Sequence, residues 1–131
     1  MPRILLVDDD RDGLLATRLL IERYGAECES VNSGADALAH AQAAHRDGTP
    51  YDVVMMDVAM PGMDGFETTR GIRTSLPESA RPRIVGMTAY TMESIHKKGM
   101  EAGMERIVTK PFFLTELLEA AFGYDPRQEV A

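Results

Sequence analysis

Between residues 3 and 122 one pattern repeats five times: a short apolar run, then a longer stretch with helical spacing. The runs are "RILLV" (3–7), "ECESV" (27–31), "YDVVMMD" (51–57), "RIVGMT" (83–88) and "RIVTK" (106–110). Helical spacing fills 11–24, 32–46, 64–75, 91–102 and 114–122. Alternation of this kind predicts an α/β fold, a doubly wound parallel sheet with helices on both faces and right-handed crossovers. Continuous apolar runs such as "ILLV" and "DVVMM" suit strands covered on both sides. In such sheets a ligand site lies beyond the carboxyl ends of the strands, where the strand order reverses.

Local signals support the same division. Gly25 and Gly103 stop the first and fourth helices. Ser33, with Asp36 three residues on, and Asp64, with Glu67 three residues on, have the look of helix N-caps. "DGTP" (47–50) is a turn and "SLPESARP" (75–82) a loop. Leu114, Leu117, Leu118, Ala121 and Phe122 give the last helix an apolar stripe, and Phe113 in front of it supplies packing rather than a polar cap. In the first helix Gly13, Ala16, Leu20 and Tyr24, with Thr17 and Ile21, form the stripe expected to face the core. Leu15 and Leu19 then fall on another side.

The ends of the runs carry the chemistry. The first ends in Asp8 and Asp9, the third in Asp57, the fourth in Thr88, and the fifth in Lys110 followed by Pro111. The second ends in nothing chemical, as suits a strand at the sheet edge. The topology therefore delivers three carboxylates, a hydroxyl and an ammonium to one rim. Those groups suit phosphoryl transfer to a carboxylate. Oxygen ligands of this kind hold Mg²⁺ or Mn²⁺, a carboxylate can form an aspartyl phosphate, and a lysine can take a phosphoryl oxygen.

The crowded stretch "VDDDRDG" (7–13) admits other readings. Asp8, Asp10, Asp12 and Gly13 match the first half of a calcium loop, but its twelfth position would be Leu19 rather than Glu. A haloacid-dehalogenase-type phosphatase would use Asp8 as nucleophile and Asp10 as acid/base, leaving Asp57 incidental. A passive interaction module is a third reading. Asp10 and Asp12 are better explained by the first helix, whose N-terminus favours negative charge.

Composition narrows the classes. The 131 residues carry a net charge of −7, which argues against a basic nucleic-acid surface. Cys28 is the single cysteine, so neither an internal disulfide nor a cysteine zinc site can form. His40, His45 and His96 lack ligand spacing, and the methionines, including Met55, Met56, Met60 and Met63, are packing residues. No signal peptide or membrane-length apolar run is present, so a cytoplasmic domain is expected, spanning 1–123 with a short tail at 124–131.

Taken together, "LLVDDD" (5–10), "VVMMDVAMPGMDGFE" (53–67), "GMTAY" (86–90) and "AGMERIVTKPF" (102–112) resemble the response-regulator receiver domain of two-component signalling. The resemblance implies a flavodoxin-like (βα)5 fold with strand order 2-1-3-4-5. It implies that Asp57 is the phosphoacceptor. Asp8, Asp9, Asp57 and the backbone carbonyl of Ala59 would form the metal shell. Thr88 and Lys110 would contact the phosphoryl group, and Lys110–Pro111 would be a cis peptide. It implies a phosphorylated signalling domain rather than an enzyme, with a histidine kinase or histidine phosphotransfer protein as donor and room for a dimer formed on phosphorylation. No output domain follows, so the chain is either a stand-alone receiver or, the reading preferred, a piece of a hybrid histidine kinase. Two positions depart from the family. Position 107, where many members carry Tyr or Phe, is Ile; Tyr90, two residues after Thr88, is a nearby aromatic that could respond instead, though a solvated loop tyrosine is the reading preferred. Ala59 offers no polar side chain to an attacking water. Leu15 and Leu19 are candidates for docking the phosphodonor.

Overall fold

All five apolar runs become strands in the computed structural model, which describes residues 2–90, 92–110 and 114–122 apart from the side chains of Leu114, Leu117, Leu118 and Ala121. The order along the chain is β1 (Arg3–Val7), α1 (Arg11–Arg23), β2 (Glu27–Val31), α2 (Gly34–Arg46), β3 (Val53–Asp57), α3 (Gly65–Ser75), β4 (Arg83–Thr88), α4 (Glu93–Ala102), β5 (Arg106–Thr109) and α5 (Leu114–Phe122). The sheet is parallel, with order β2-β1-β3-β4-β5. The order reverses between β1 and β3, so the crevice that such a sheet opens lies between Val7 and Asp57.

Side-chain alternation sorts the core into two layers. Leu5, Val7, Val54, Met56 and Ile84 pack against Ala37, Ala41 and Ala44 of α2, Phe66 and Ile72 of α3 and Ala102 of α4. Ile4, Leu6, Val53, Met55, Val85 and Met87 point the other way, against Leu14 and Ile21 of α1 and Ala120 and Phe122 of α5. Met55 and Met56 are fully buried, one in each layer, which confirms their packing role.

The helix ends use the polar residues the sequence marks. Ser33 accepts from the Asp36 amide at 3.1 Å and Asp64 from the Glu67 amide at 2.9 Å. Asp10 caps α1, accepting from the Gly13 amide at 3.4 Å. Gly103 ends α4 at φ 110°, left-handed backbone that glycine takes without a Cβ penalty. Within the loop expected at 75–82, Glu78–Ala80 form one 3₁₀ turn. The third strand begins at Val53 rather than residue 51, though Tyr51 is buried and its hydroxyl donates to Glu29.

The expected core stripe of α1 is corrected. Leu14 and Ile21 are buried, whereas Ala16, Leu20 and Tyr24 are exposed. With leucines at 14, 15, 19 and 20, apolar spacing does not single out a face, and packing against β1 and α5 makes the choice. Leu15 and Leu19 stand 58% and 53% exposed, joined by Leu20 at 44%. No helix among the described residues is long and apolar enough to cross a membrane.

Cys28 lies buried on the edge strand β2, and burial pushes its thiol up to about 11. In the unfolded chain the thiol ionises near 9.0, so the stability this site contributes is full below that pH and is lost as pH rises through about 11. At pH 8 the native protein should therefore react with a thiol reagent at least ~100-fold more slowly than the urea-unfolded chain. Equal rates, measured by absorbance, would show that β2 opens freely.

Candidate functional site

The site is built where five loops leave the carboxyl ends of the strands. Asp8 follows β1 directly, and its amide donates to the Val31 carbonyl at 3.3 Å, which fixes the loop against β2. Asp57 is the last residue of β3. The chain then turns back so closely that the Gly65 amide meets the Val58 carbonyl at 3.0 Å, and α3 starts against the backbone of Asp57. Thr88 ends β4, and the Lys110 amide donates to its carbonyl at 2.6 Å, drawing the end of β5 alongside.

These placements bring the strand-end side chains together. One carboxylate oxygen from each of Asp8, Asp9 and Asp57 lies within 4.8 Å of the other two. Lys110 Nζ sits 3.1 Å from Asp8 Oδ2 and 3.5 Å from Asp57 Oδ2, bridging the two buried acids. The remaining oxygens take backbone donors, Asp8 Oδ1 from the Asp10 amide at 3.0 Å and Asp57 Oδ1 from the Ala59 amide at 3.2 Å. Asp9 is exposed and makes no hydrogen bond or ion pair among the described residues.

Electrostatics shows an unbalanced cluster. Burial pushes the Asp57 carboxyl up to about 6; Lys110 opposes that, and the neighbouring Asp8 charge adds to it. Burial lowers the Lys110 ammonium, and Asp8 and Asp57 more than reverse this, leaving it above its ordinary value. Two of the three carboxylates thus share one ammonium, and Asp9 has none among the described residues. The donor set is all hard oxygen, partly buried and short of positive charge, and it fits a divalent cation of the Mg²⁺ kind.

Other expected residues fall around this centre. Thr88 is buried, and its Oγ1 accepts from the Tyr90 amide at 3.1 Å. Its hydroxyl proton remains available to an acceptor. Tyr90 itself is 53% exposed. The Ala59 carbonyl accepts no hydrogen bond among the described residues. Ile107 packs under α4, where a Cβ on Gly99 would collide with it and one on Gly86 would come within 3.3 Å. Pro111, the bond from Lys110 to it, and Phe113 lie outside the described residues.

The readings confined to "VDDDRDG" lose their residues here. Asp10 caps α1 and Asp12 lies in that helix's first turn, while the carboxylates that converge on one point are Asp8, Asp9 and Asp57. A contact that the sequence did not signal is that between Arg11 and Asn32. Its sequence trace is weak, a cation at the start of a helix amid four acids.

Comparison with known proteins agrees with this geometry. The model of the response regulator receiver domain matches residues 4–122. The sensor histidine kinase GacS of Pseudomonas protegens is 37% identical over 126 residues, an alignment covering 90% of this chain and 12% of that protein. The chain spans about an eighth or less of the curated relatives it matches. Chemotaxis protein CheY4 of Vibrio cholerae superposes with a TM-score of 0.79 at 30% identity, covering 91% of this chain and 94% of that one. The receiver domain of a sensor histidine kinase from Pseudomonas aeruginosa, solved with magnesium in its active-site cleft, superposes with a TM-score of 0.78 at 28% identity, covering 93% and 98%. With sheet order, strand-end chemistry and a family match running almost from end to end in accord, the chain belongs to the response regulator receiver domain family of two-component signalling.

Proposed function

We propose that Asp57 accepts a phosphoryl group from a histidine of a kinase or a histidine phosphotransfer protein. The observation that carries this reading is the cluster of Asp8, Asp9 and Asp57 within 4.8 Å, bridged by Lys110 from the far end of the chain. Asp8, Asp9, Asp57 and the Ala59 carbonyl would hold Mg²⁺ or Mn²⁺, which when bound neutralises the crowded acids and the incoming phosphoryl oxygens. An Asp57 oxygen attacks phosphorus as the P–N bond to the donor imidazole breaks, and the electron pair leaves with the ring nitrogen. Lys110 moves from its two carboxylates to a phosphoryl oxygen, and the Thr88 hydroxyl donates to another. The added charge then biases the surface around Thr88, α4 and β5. Magnesium in the cleft of the Pseudomonas aeruginosa receiver supports the choice of metal.

Leu15 and Leu19 supply the docking surface in this reading. They stand exposed on α1, the helix that begins three residues after Asp8. A single set of mass measurements tests the whole. Acetyl phosphate with Mg²⁺ should add one phosphoryl group to the wild type and none to Asp57→Ala. The double variant Leu15→Ser, Leu19→Ser should accept from acetyl phosphate at the wild-type rate but more slowly, by about tenfold or more, from a phosphorylated histidine protein. Phosphoryl uptake by Asp57→Ala would overturn the choice of acceptor, and equal slowing with both donors would overturn the docking surface.

A further inference from the structure

Arg11 is the first residue of α1. That is the helix end where a cation is least favoured, because the positive pole of the macrodipole lies there. Asp8, Asp9, Asp10 and Asp12 flank it in sequence, yet none of the ion pairs among the described residues includes Arg11. Its guanidinium reaches instead to the Asn32 side-chain amide, and with the amide turned so that its oxygen faces the guanidinium, that oxygen lies 3.1 Å from Nε and 3.0 Å from Nη2. A guanidinium offers only donors, so the oxygen of the amide is the atom that faces it. Asn32 directly follows Val31, whose carbonyl takes the Asp8 amide. The end of β2 therefore fastens the acidic loop at two points, one of them through a neutral side chain. Helix stability gives no reason for an arginine at that position, and a neutral acceptor holds it without adding a fourth acid to the cluster.

We propose that Asn32 is a positioning residue that parks Arg11 on the β2 side of the rim, so that the Asp9 carboxylate stays open to a divalent cation. The inference rests on the metal-binding reading above. Released from Asn32, the guanidinium has an exposed, unpartnered carboxylate two residues away, and an arginine paired there competes with the metal for it. An exposed pair of this kind is weak, so the competition is modest.

Mg²⁺ titration by calorimetry of the wild type, Asn32→Ala, Arg11→Gln and the double variant tests this, with circular dichroism as the check on folding. Asn32→Ala should bind Mg²⁺ about three- to fivefold more weakly than the wild type. Arg11→Gln should bind at least as tightly as the wild type, and the double variant should match Arg11→Gln, since no guanidinium is left to compete. Three results overturn the proposal: wild-type affinity in Asn32→Ala, weaker affinity in Arg11→Gln, or a double variant as weak as Asn32→Ala, which would mean that the loop had only lost a fastening. If the wild type binds no Mg²⁺, the metal-binding reading fails first, a result visible before any substitution is made. Arg11→Gln needs no loop fastening of its own to be informative, so the test stands even where Asn32→Ala folds poorly.

Discussion

Asp57→Asn should make the metal-free protein more stable than the wild type at pH 7, by about 1–3 kcal/mol, while removing its capacity to take up a phosphoryl group. The buried Asp57 carboxyl is pushed up to about 6, so at neutral pH the fold holds it charged against its preference. Its unfolded value is near 3.8, so its favourable contribution is full below that pH and is lost as pH rises through about 6. Asparagine keeps the shape, keeps an oxygen for the Ala59 amide and leaves Lys110 paired with Asp8 at 3.1 Å. Thermal unfolding in a chelator should show the variant melting about 5–10 °C above the wild type at pH 7, with the gap closing towards pH 4. A wild type that melts at or above the variant in chelator at pH 7 would show that Lys110 already balances the cluster.

The second large effect is expected at Gly65→Ala. A Cβ there would stand 2.6 Å from the carbonyl oxygen of Asp57 and 2.9 Å from the Cα of Val58. Both are backbone atoms that cannot turn aside, so α3 must lift from β3 and take the Asp57 loop with it. Overpacking against backbone places the loss at about 3 kcal/mol in urea unfolding, and Mg²⁺ affinity should fall with it. Gly71→Ala on the same helix is the control. Its Cβ would meet only the Leu38 side chain, at 3.3 Å, and the gain in helix propensity should leave stability within about 1 kcal/mol of the wild type. Equal losses at the two positions would mean that the close approach at Asp57 is unimportant.

How much could be read from the chain depended on how far each feature is fixed by local pattern. The strands were legible because burial on both faces leaves apolar runs such as Ile4–Val7 and Val53–Met56 with no polar interruption. The joining of Asp8, Asp9, Asp57 and Lys110 was legible because parallel topology collects strand ends. The buried face of α1 was not, since leucines at 14, 15, 19 and 20 surround the helix and only neighbouring elements decide which are covered. The short turn at Glu78–Ala80 has no side-chain cap to announce it. Asn32 escaped notice because a neutral amide after an edge strand matches no motif, and its partner lies 21 positions earlier, at the start of α1.

Lys110 meets Asp8 across 102 positions of sequence. In order of synthesis, the acids of the first and third strands therefore precede their counter-charge, which is supplied only once residue 110 has been added. A nascent or truncated chain ending before β5 carries every carboxylate of the cluster but lacks the ammonium that holds two of them.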